Sequence, residues 1–321
     1  MNPPVTAGVN SDAHLIAMFL SSRKRKSINT AYVYSGVLNE FFALLGNKSI
    51  RTITYSDLVD YSEYLAAPDY DRNPATLAVS TQNRKIATIK SLFSYAKKIG
   101  YVTFNPAEPL ETKRVDSKIA QRILMETELE SIVVAAQETG KLALLIVMFF
   151  ACTGCRVSEL ANAMWRSIFI APQGERCITI TGKGNKDRLI KIPDLLWNTI
   201  LDYREDKGLL CEIDGQSYSP LIVNKFGNNM SSQFIWKIIK DVTTRAGVKK
   251  NVSPHWLRHT FATEVAKNKD SNLWQLQNDL GHSSIRTTEG YVHIAQGMAE
   301  TSVDHLNYLT TLEKHITKRD I

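Results

Sequence analysis

Along the first hundred residues, apolar positions return every three or four places, the period of helices with one buried face. A short helix is expected around His14 to Leu20. Ser27 or Asn29 caps a second, with Tyr34, Val37, Leu38, Phe41 and Leu45 on one face and Gly46 past its end. Ser56 caps a third that carries Leu58, Tyr61 and Leu65 and stops at Pro68. A fourth runs from about Thr81 to Ile99, with Ile86, Ile89, Phe93 and Ala96 inward and Arg84, Lys85, Thr88 and Lys98 on the opposite face. Together these predict a small helical bundle with a basic outer surface.

Asn105-Pro106 closes the bundle, because a residue before proline is pushed out of the helical region. The stretch to Arg122, with Lys113, Arg114 and Lys118, reads as a basic linker. The predicted division is 1–106, a linker at 107–122 and a second domain at 123–321.

The second domain is mixed. A helix opens near Thr127, Leu142 to Cys152 is apolar all round and therefore central, Thr153-Gly154 breaks it, and a further helix is expected from Arg156 to Trp165. Short β-type runs follow at Ser167 to Ile170, Cys177 to Thr181 and Arg188 to Ile192. The last two flank GKGNKD, whose glycines and asparagine suit a hairpin turn. Helical spacing returns after Asp194, and Val303, Leu306, Leu309, Leu312 and Ile316 form a last apolar stripe. The expected fold is mainly α with a small antiparallel β-sheet. No internal repeat appears.

Composition narrows the function. The longest apolar run falls short of a bilayer span, and the N-terminus lacks a basic start and an apolar h-region, so a cytoplasmic protein without membrane attachment is expected. Cys152 and Cys155 form a lone CxxC, while Cys177 and Cys211 are scattered, so neither a metal site nor a disulfide is expected. The net charge is +7, and residues 1 to 118 carry 15 Lys+Arg against 10 Asp+Glu, so five of those seven charges lie in the first third. That bias favours a polyanionic partner. The run Arg23, Lys24, Arg25 and Lys26 reads either as a phosphate-contacting edge or as a solvated loop before a helix.

Four stretches of the second domain hold candidate chemistry. ACTGCRVSEL places Arg156 just after a buried helix, facing either an anion or Glu159 three residues on. The hairpin tip offers Lys183 and Lys186. SPHWLRHTFAT puts His255 and Arg258 on one helical face. LGHSSIRTTEGYVHI places His282 nine residues before Tyr291, a tyrosine that is either a core aromatic or a nucleophile. Two arginines, a lysine, two histidines and a tyrosine are the groups that metal-free phosphoryl transfer needs. Guanidiniums meet the charge that grows on the phosphate, a lysine protonates a leaving oxygen, histidines move a proton, and a phenol whose pKa positive neighbours lower attacks.

TGCRVSEL, TGKGNKDR, PHWLRHTFAT and LGHSSIRTTEGYVH, in that order, resemble the motifs of the tyrosine recombinases, or phage integrase family, over about Thr153 to His293. The N-terminal bundle resembles that family's core-binding domain more loosely. The resemblance implies a two-domain, Xer-like or mobile-element integrase that cuts and rejoins DNA through a 3′-phosphotyrosine without metal, ATP or other cofactor. It implies Arg156 and Arg258 as the catalytic arginines, Lys183 as the hairpin acid ahead of Lys186, His255 and His282 as the site histidines, Tyr291 as the nucleophile and Glu159 as a supporting residue. Arg23, Lys24, Arg25, Lys26, Arg84, Lys85, Thr88, Lys113 and Arg114 are the expected DNA contacts. The partners it implies are a double-stranded recombination site, a homo- or hetero-tetramer joined through the C-terminal helix, and in some members an accessory protein. Rival readings are a type IB topoisomerase-like enzyme and a DNA-binding regulator without catalysis.

Overall fold

The computed structural model describes residues 11–25, 27–68, 76–115, 120–182, 186–268, 272–282, 284–285, 288–292 and 295. The chain divides into two compact units, 1–116 and 117–321, each with its own core.

The first unit contains α1 (Asp12–Lys24), α2 (Ile28–Leu44), α3 (Tyr55–Ala66) and α4 (Val79–Lys98). Leu15, Phe19, Leu38, Phe41, Leu58, Ile89 and Phe93 make its core. Ser27 rather than Asn29 caps α2, accepting the Thr30 N–H. α3 starts one residue ahead of Ser56: its cap is Thr54, whose hydroxyl takes the Asp57 N–H while the Asp57 carboxylate takes the Thr54 N–H. Lys48 pairs with the same carboxylate.

Three expectations change in this unit. α1 runs on through Arg23 and Lys24, which occupy its last turn, where cations offset the negative helix end; these two residues are not in a loop. Thr88 is fully buried and donates its hydroxyl to the Arg84 carbonyl, so it belongs to the core and cannot touch DNA from the folded bundle. Finally, the start of the expected linker is packed. Ala107 and Leu110 are buried in the bundle core, and Asn83 exchanges side-chain hydrogen bonds with the Lys113 backbone.

The second unit is built on α6 (Lys141–Thr153), which packs against α5 (Glu126–Thr139), α8 (Asp194–Asp206), α9 (Ser232–Arg245) and α10 (Pro254–Lys267). Being surrounded, α6 is apolar on every face, with Leu145, Ile146, Val147, Phe149 and Phe150 at or near zero exposure. The expected helix from Arg156 to Trp165 is instead the short α7 (Val157–Ala161) followed by a 3-10 turn at Trp165–Ser167. Trp165 then turns inward to stack on Trp197.

The sheet has three antiparallel strands in the order β1 (Ile168–Ile170), β2 (Arg176–Thr181), β3 (Asp187–Lys191). Ile178 pairs with Ile168 on one side and Ile190 on the other, and the three isoleucines lay one face of the sheet on the core. The β2–β3 hairpin closes as expected at Gly182, whose N–H donates to the Lys186 carbonyl. After α10 comes α11 (Leu273–Leu280), and residues 288–292 are helical. The expected stripe from Val303 to Ile316 lies outside the described residues.

Candidate active site

Three chain turns converge here. α6 ends at Gly154 in the left-handed conformation (φ 58°), which sends Arg156 to the start of α7. α10 begins at Pro254, a residue suited to a first turn, and its next turn brings His255, Arg258 and His259 to one side. α11 ends at Gly281, also left-handed (φ 62°), leaving its last carbonyls free to accept from side chains.

Those carbonyls organise the charges. Asp279 O accepts from Arg188 Nε at 2.8 Å, Leu280 O from Arg258 Nη2 at 2.6 Å and Gly281 O from Arg156 Nη2 at 2.9 Å. Three successive oxygens at the negative end of one helix thus hold three guanidiniums. Arg258 also donates to the Gly154 carbonyl at 2.7 Å. Among the described residues its hydrogen-bond partners are two neutral carbonyls, with Glu159 acting on it only through space. Burial and the Arg156 charge pull its pKa down to about 10.

Arg156 faces Glu159, as one of the two readings of the sequence had it. Glu159 accepts Arg156 Nη1 at 2.8 Å and the Arg156 backbone N–H at 2.7 Å. The same carboxylate takes Arg188 Nη1 at 2.8 Å and Nη2 at 2.6 Å. Burial alone would raise the Glu159 pKa, but these bonds outweigh it and hold the group below its usual value. The Arg156 side chain is 26% exposed, against 9% for Arg188 and 3% for Glu159, so Arg156 is the member of this cluster that a ligand can reach.

The Tyr291 side chain is both packed in a core and hydrogen-bonded through its hydroxyl. Its ring is 2% exposed and packs with Ala262, Leu276 and Leu280, while its hydroxyl lies 2.7 Å from His259 Nδ1. The His282 ring stacks on it at 6.1 Å and 9°. Burial raises the phenol pKa, and Arg258 and Arg156 lower it only in part, so the expected net lowering is not found in the DNA-free chain. The histidines differ from expectation too. Burial first, then neighbouring positive charges, hold His259 and His282 at about 4, and partial loss of hydration with Arg258, Arg156 and Arg122 lowers His255, although that residue stays exposed. All three are neutral at pH 7, acting as hydrogen-bond donors and acceptors rather than as cations.

Arg156, His255, Arg258, His282 and Tyr291 therefore come together. Lys183 lies outside the described residues, and Lys186 is exposed at the hairpin base. Two contributors were missed. His259 stands one turn after His255, a spacing visible in HWLRH, and Arg188 sits in the quoted TGKGNKDR stretch without having been weighed. Among the described residues no group of three or more His, Cys, Asp or Glu stands ready for a metal. Cys152 and Cys155 are free thiols, and burial pushes Cys155 up to about 11.

The expected DNA contacts fall into groups. Lys24, Arg25, Arg84, Lys113 and Arg114 are exposed. Arg23 instead folds over Phe19 and donates to Ser91 Oγ, and Lys85 is half-buried against Glu40. Both are already engaged within the bundle. Lys26 lies outside the described residues.

Residues 122–298 match the phage integrase family and residues 17–100 match the phage integrase N-terminal SAM-like domain. A tyrosine recombinase of Thermosipho africanus is 29% identical over 281 residues, covering 86% of this chain and 93% of that one. Tyrosine recombinase XerC of Listeria monocytogenes is 26% identical over 287 residues, covering 87% and 91%. In fold, the chain resembles the XerH site-specific recombinase bound to its palindromic difH substrate (TM-score 0.69, 20% identity, 90% of this chain and 83% of that one). It also resembles a lambda integrase dimer bound to a COC′ core site (TM-score 0.66, 17% identity, 91% and 81%). Fold and site together define an enzyme of the tyrosine recombinase class, which breaks and rejoins DNA. The chain belongs to the phage integrase family, in its two-domain, Xer-like form. No helix among the described residues is long and apolar enough to cross a membrane.

Proposed function

We propose that this recombinase cuts a double-stranded recombination site with Tyr291 as nucleophile and exchanges strands through the covalent product. The contact that carries the reading is the one between the Tyr291 hydroxyl and His259 Nδ1 at 2.7 Å, beside two arginines pinned to the end of α11. The Tyr291 oxygen bonds to phosphorus and the bond from phosphorus to the 5′ oxygen breaks. The phenolic proton passes to His259, and the 5′ oxygen takes a proton from Lys183. Arg156 and Arg258 meet the charge that grows on the non-bridging oxygens, and His255 and His282, being neutral, donate hydrogen bonds to them. An approaching phosphate brings a negative charge that favours a protonated His259 once it has taken the phenolic proton.

The 3′-phosphotyrosine keeps the energy of the broken ester, so a 5′ hydroxyl from a second site can reverse the step without ATP. The same link would serve a topoisomerase-like enzyme that rejoins one strand; the likeness to tyrosine recombinases over 86–87% of the chain is what favours strand exchange. A complete set of reacting groups also argues against a regulator that only binds. Lys24, Arg25, Arg84, Lys113 and Arg114 supply phosphate contacts from the first unit. The protein works in the cytoplasm as a tetramer, with the 303–316 stripe joining neighbouring copies. On a nicked suicide substrate the wild type traps a covalent adduct, whereas Tyr291→Phe binds DNA and forms none; an adduct from the phenylalanine variant refutes the assignment.

A further inference from the structure

We propose that Arg188 is a positioning residue for the reaction, one that satisfies Glu159 so that the charge of Arg156 is left free for the scissile phosphate. This rests on the reading of Arg156 as a phosphate-binding cation.

The carboxylate of Glu159 lies between two guanidiniums. Were Arg156 its sole partner, the two charges would cancel and the carboxylate would compete with DNA for the same N–H groups. Arg188 removes that competition by bonding both oxygens at once, at 2.8 and 2.6 Å, in the paired geometry that a planar guanidinium makes with a carboxylate. Glu159 is thereby neutralised from the buried side. Arg156 keeps its backbone and Nη1 bonds to the carboxylate for orientation, while its 26% exposed side chain is no longer the group that neutralises Glu159.

Arg188 also sets the spacing. Its Nε donates to Asp279 O, and the next two carbonyls hold Arg258 and Arg156, so β3, α7 and α11 are locked in one register around the cluster. Two glycines make room for it. A Cβ on Gly182 would stand 3.2 Å from Arg188 Nη1 and 3.4 Å from Glu159 Oε1. One on Gly281 would stand 3.3 Å from Arg188 Nη1 and 3.4 Å from Arg156 Nη1, at a φ of +62° that disfavours any side chain. Lysine cannot replace this group, since an ammonium offers no planar pair of donors together with a third aimed along the stem.

The test compares single-turnover cleavage of a normal scissile phosphate with cleavage of a methylphosphonate at the same position, which carries no negative charge. Arg156→Ala is the reference, expected to lose far more on the charged substrate than on the neutral one. Arg188→Lys and Arg188→Met should show the same contrast. Each should lose about tenfold or more on phosphate, methionine more than lysine, with little loss on methylphosphonate and little change in DNA affinity. Adding Glu159→Gln to Arg188→Met removes the competing carboxylate, so the double variant should cleave phosphate faster than Arg188→Met. It also buries no unpaired charge, which guards against a variant that merely fails to fold. Equal losses on both substrates, or no loss on phosphate, overturn the role given to Arg188 when Arg156→Ala shows the contrast. If Arg156→Ala itself shows no contrast, the underlying reading of Arg156 fails instead.

Discussion

The Tyr291 hydroxyl lies 2.7 Å from His259 Nδ1, while His282 meets the same ring by stacking. With His259 neutral, its Nδ1 accepts when Nε2 carries the hydrogen, so the phenol is the donor. A base in contact with the attacking oxygen should matter most when the phenol is hard to ionise, and burial makes it so.

His259→Gln keeps a hydrogen-bonding group but cannot take a proton at neutral pH. Cleavage at pH 7 should fall about 100-fold, with DNA affinity retained. Because solvent must then remove the proton, the variant's rate should climb with pH above neutrality, where the wild type is flat. Rate against pH under single-turnover conditions decides it, and a variant with the wild-type rate and profile removes His259 from the reaction.

The same histidines predict how the second unit responds to acid. Their folded-state values lie below the ordinary 6.5, at about 4 for His259 and His282 and in the same direction for His255. The unfolded chain therefore takes up protons first. Stability is full above pH 6.5, is lost as pH falls from there towards about 4, and loses nothing further from these groups below that. Thermal melts of the DNA-free protein should show the melting temperature falling across that window. His282→Asn and His259→Gln together should flatten the slope, and an unchanged slope in that double variant speaks against the shifts.

Much of the molecule was legible because its signals are local. The 3.6 period gave the bundle helices, the all-round apolarity of α6 gave its central place, and the turn residues of GKGNKD gave the hairpin. What escaped is set by contacts across the chain. Thr88 looked like part of a basic face, yet its hydroxyl is satisfied by the Arg84 carbonyl one turn back, so burial costs it little. Arg188 is separated by 29 positions from Glu159 and by 91 from Asp279, and no pattern around it announces either partner. The low histidine pKa values depend on burial that composition does not reveal.

The bundle's exposed cations can be ranked against those already engaged. Arg84→Ala and Lys24→Ala should each weaken binding across DNA sequences and each reduce the slope of log affinity against log salt by about one. Thr88→Val should leave that slope unchanged, as should Lys85→Met, whose ammonium already serves Glu40. Binding titrations at several salt concentrations measure all four. A reduced slope from Thr88→Val would contradict its burial.

Gly154 tests whether the backbone turn before Arg156 sets the position of Arg258. A Cβ there would lie 2.4 Å from Phe261 Cδ1 and 3.1 Å from Leu280 Cδ2, and the φ of +58° is unfavourable for alanine even in open space. Gly154→Ala should therefore destabilise the second unit by roughly 2–4 kcal/mol, the sum of a left-handed alanine and a crowded core. Because the Gly154 carbonyl accepts from Arg258, the shift that relieves the clash also displaces a guanidinium, and cleavage should fall more than binding. Phe261→Ala removes the closest atoms but leaves the dihedral strain. In a double-mutant cycle the pair should be less destabilised than the two single changes predict, with cleavage partly restored. Strict additivity in both stability and cleavage would show that Phe261 does not confine this turn.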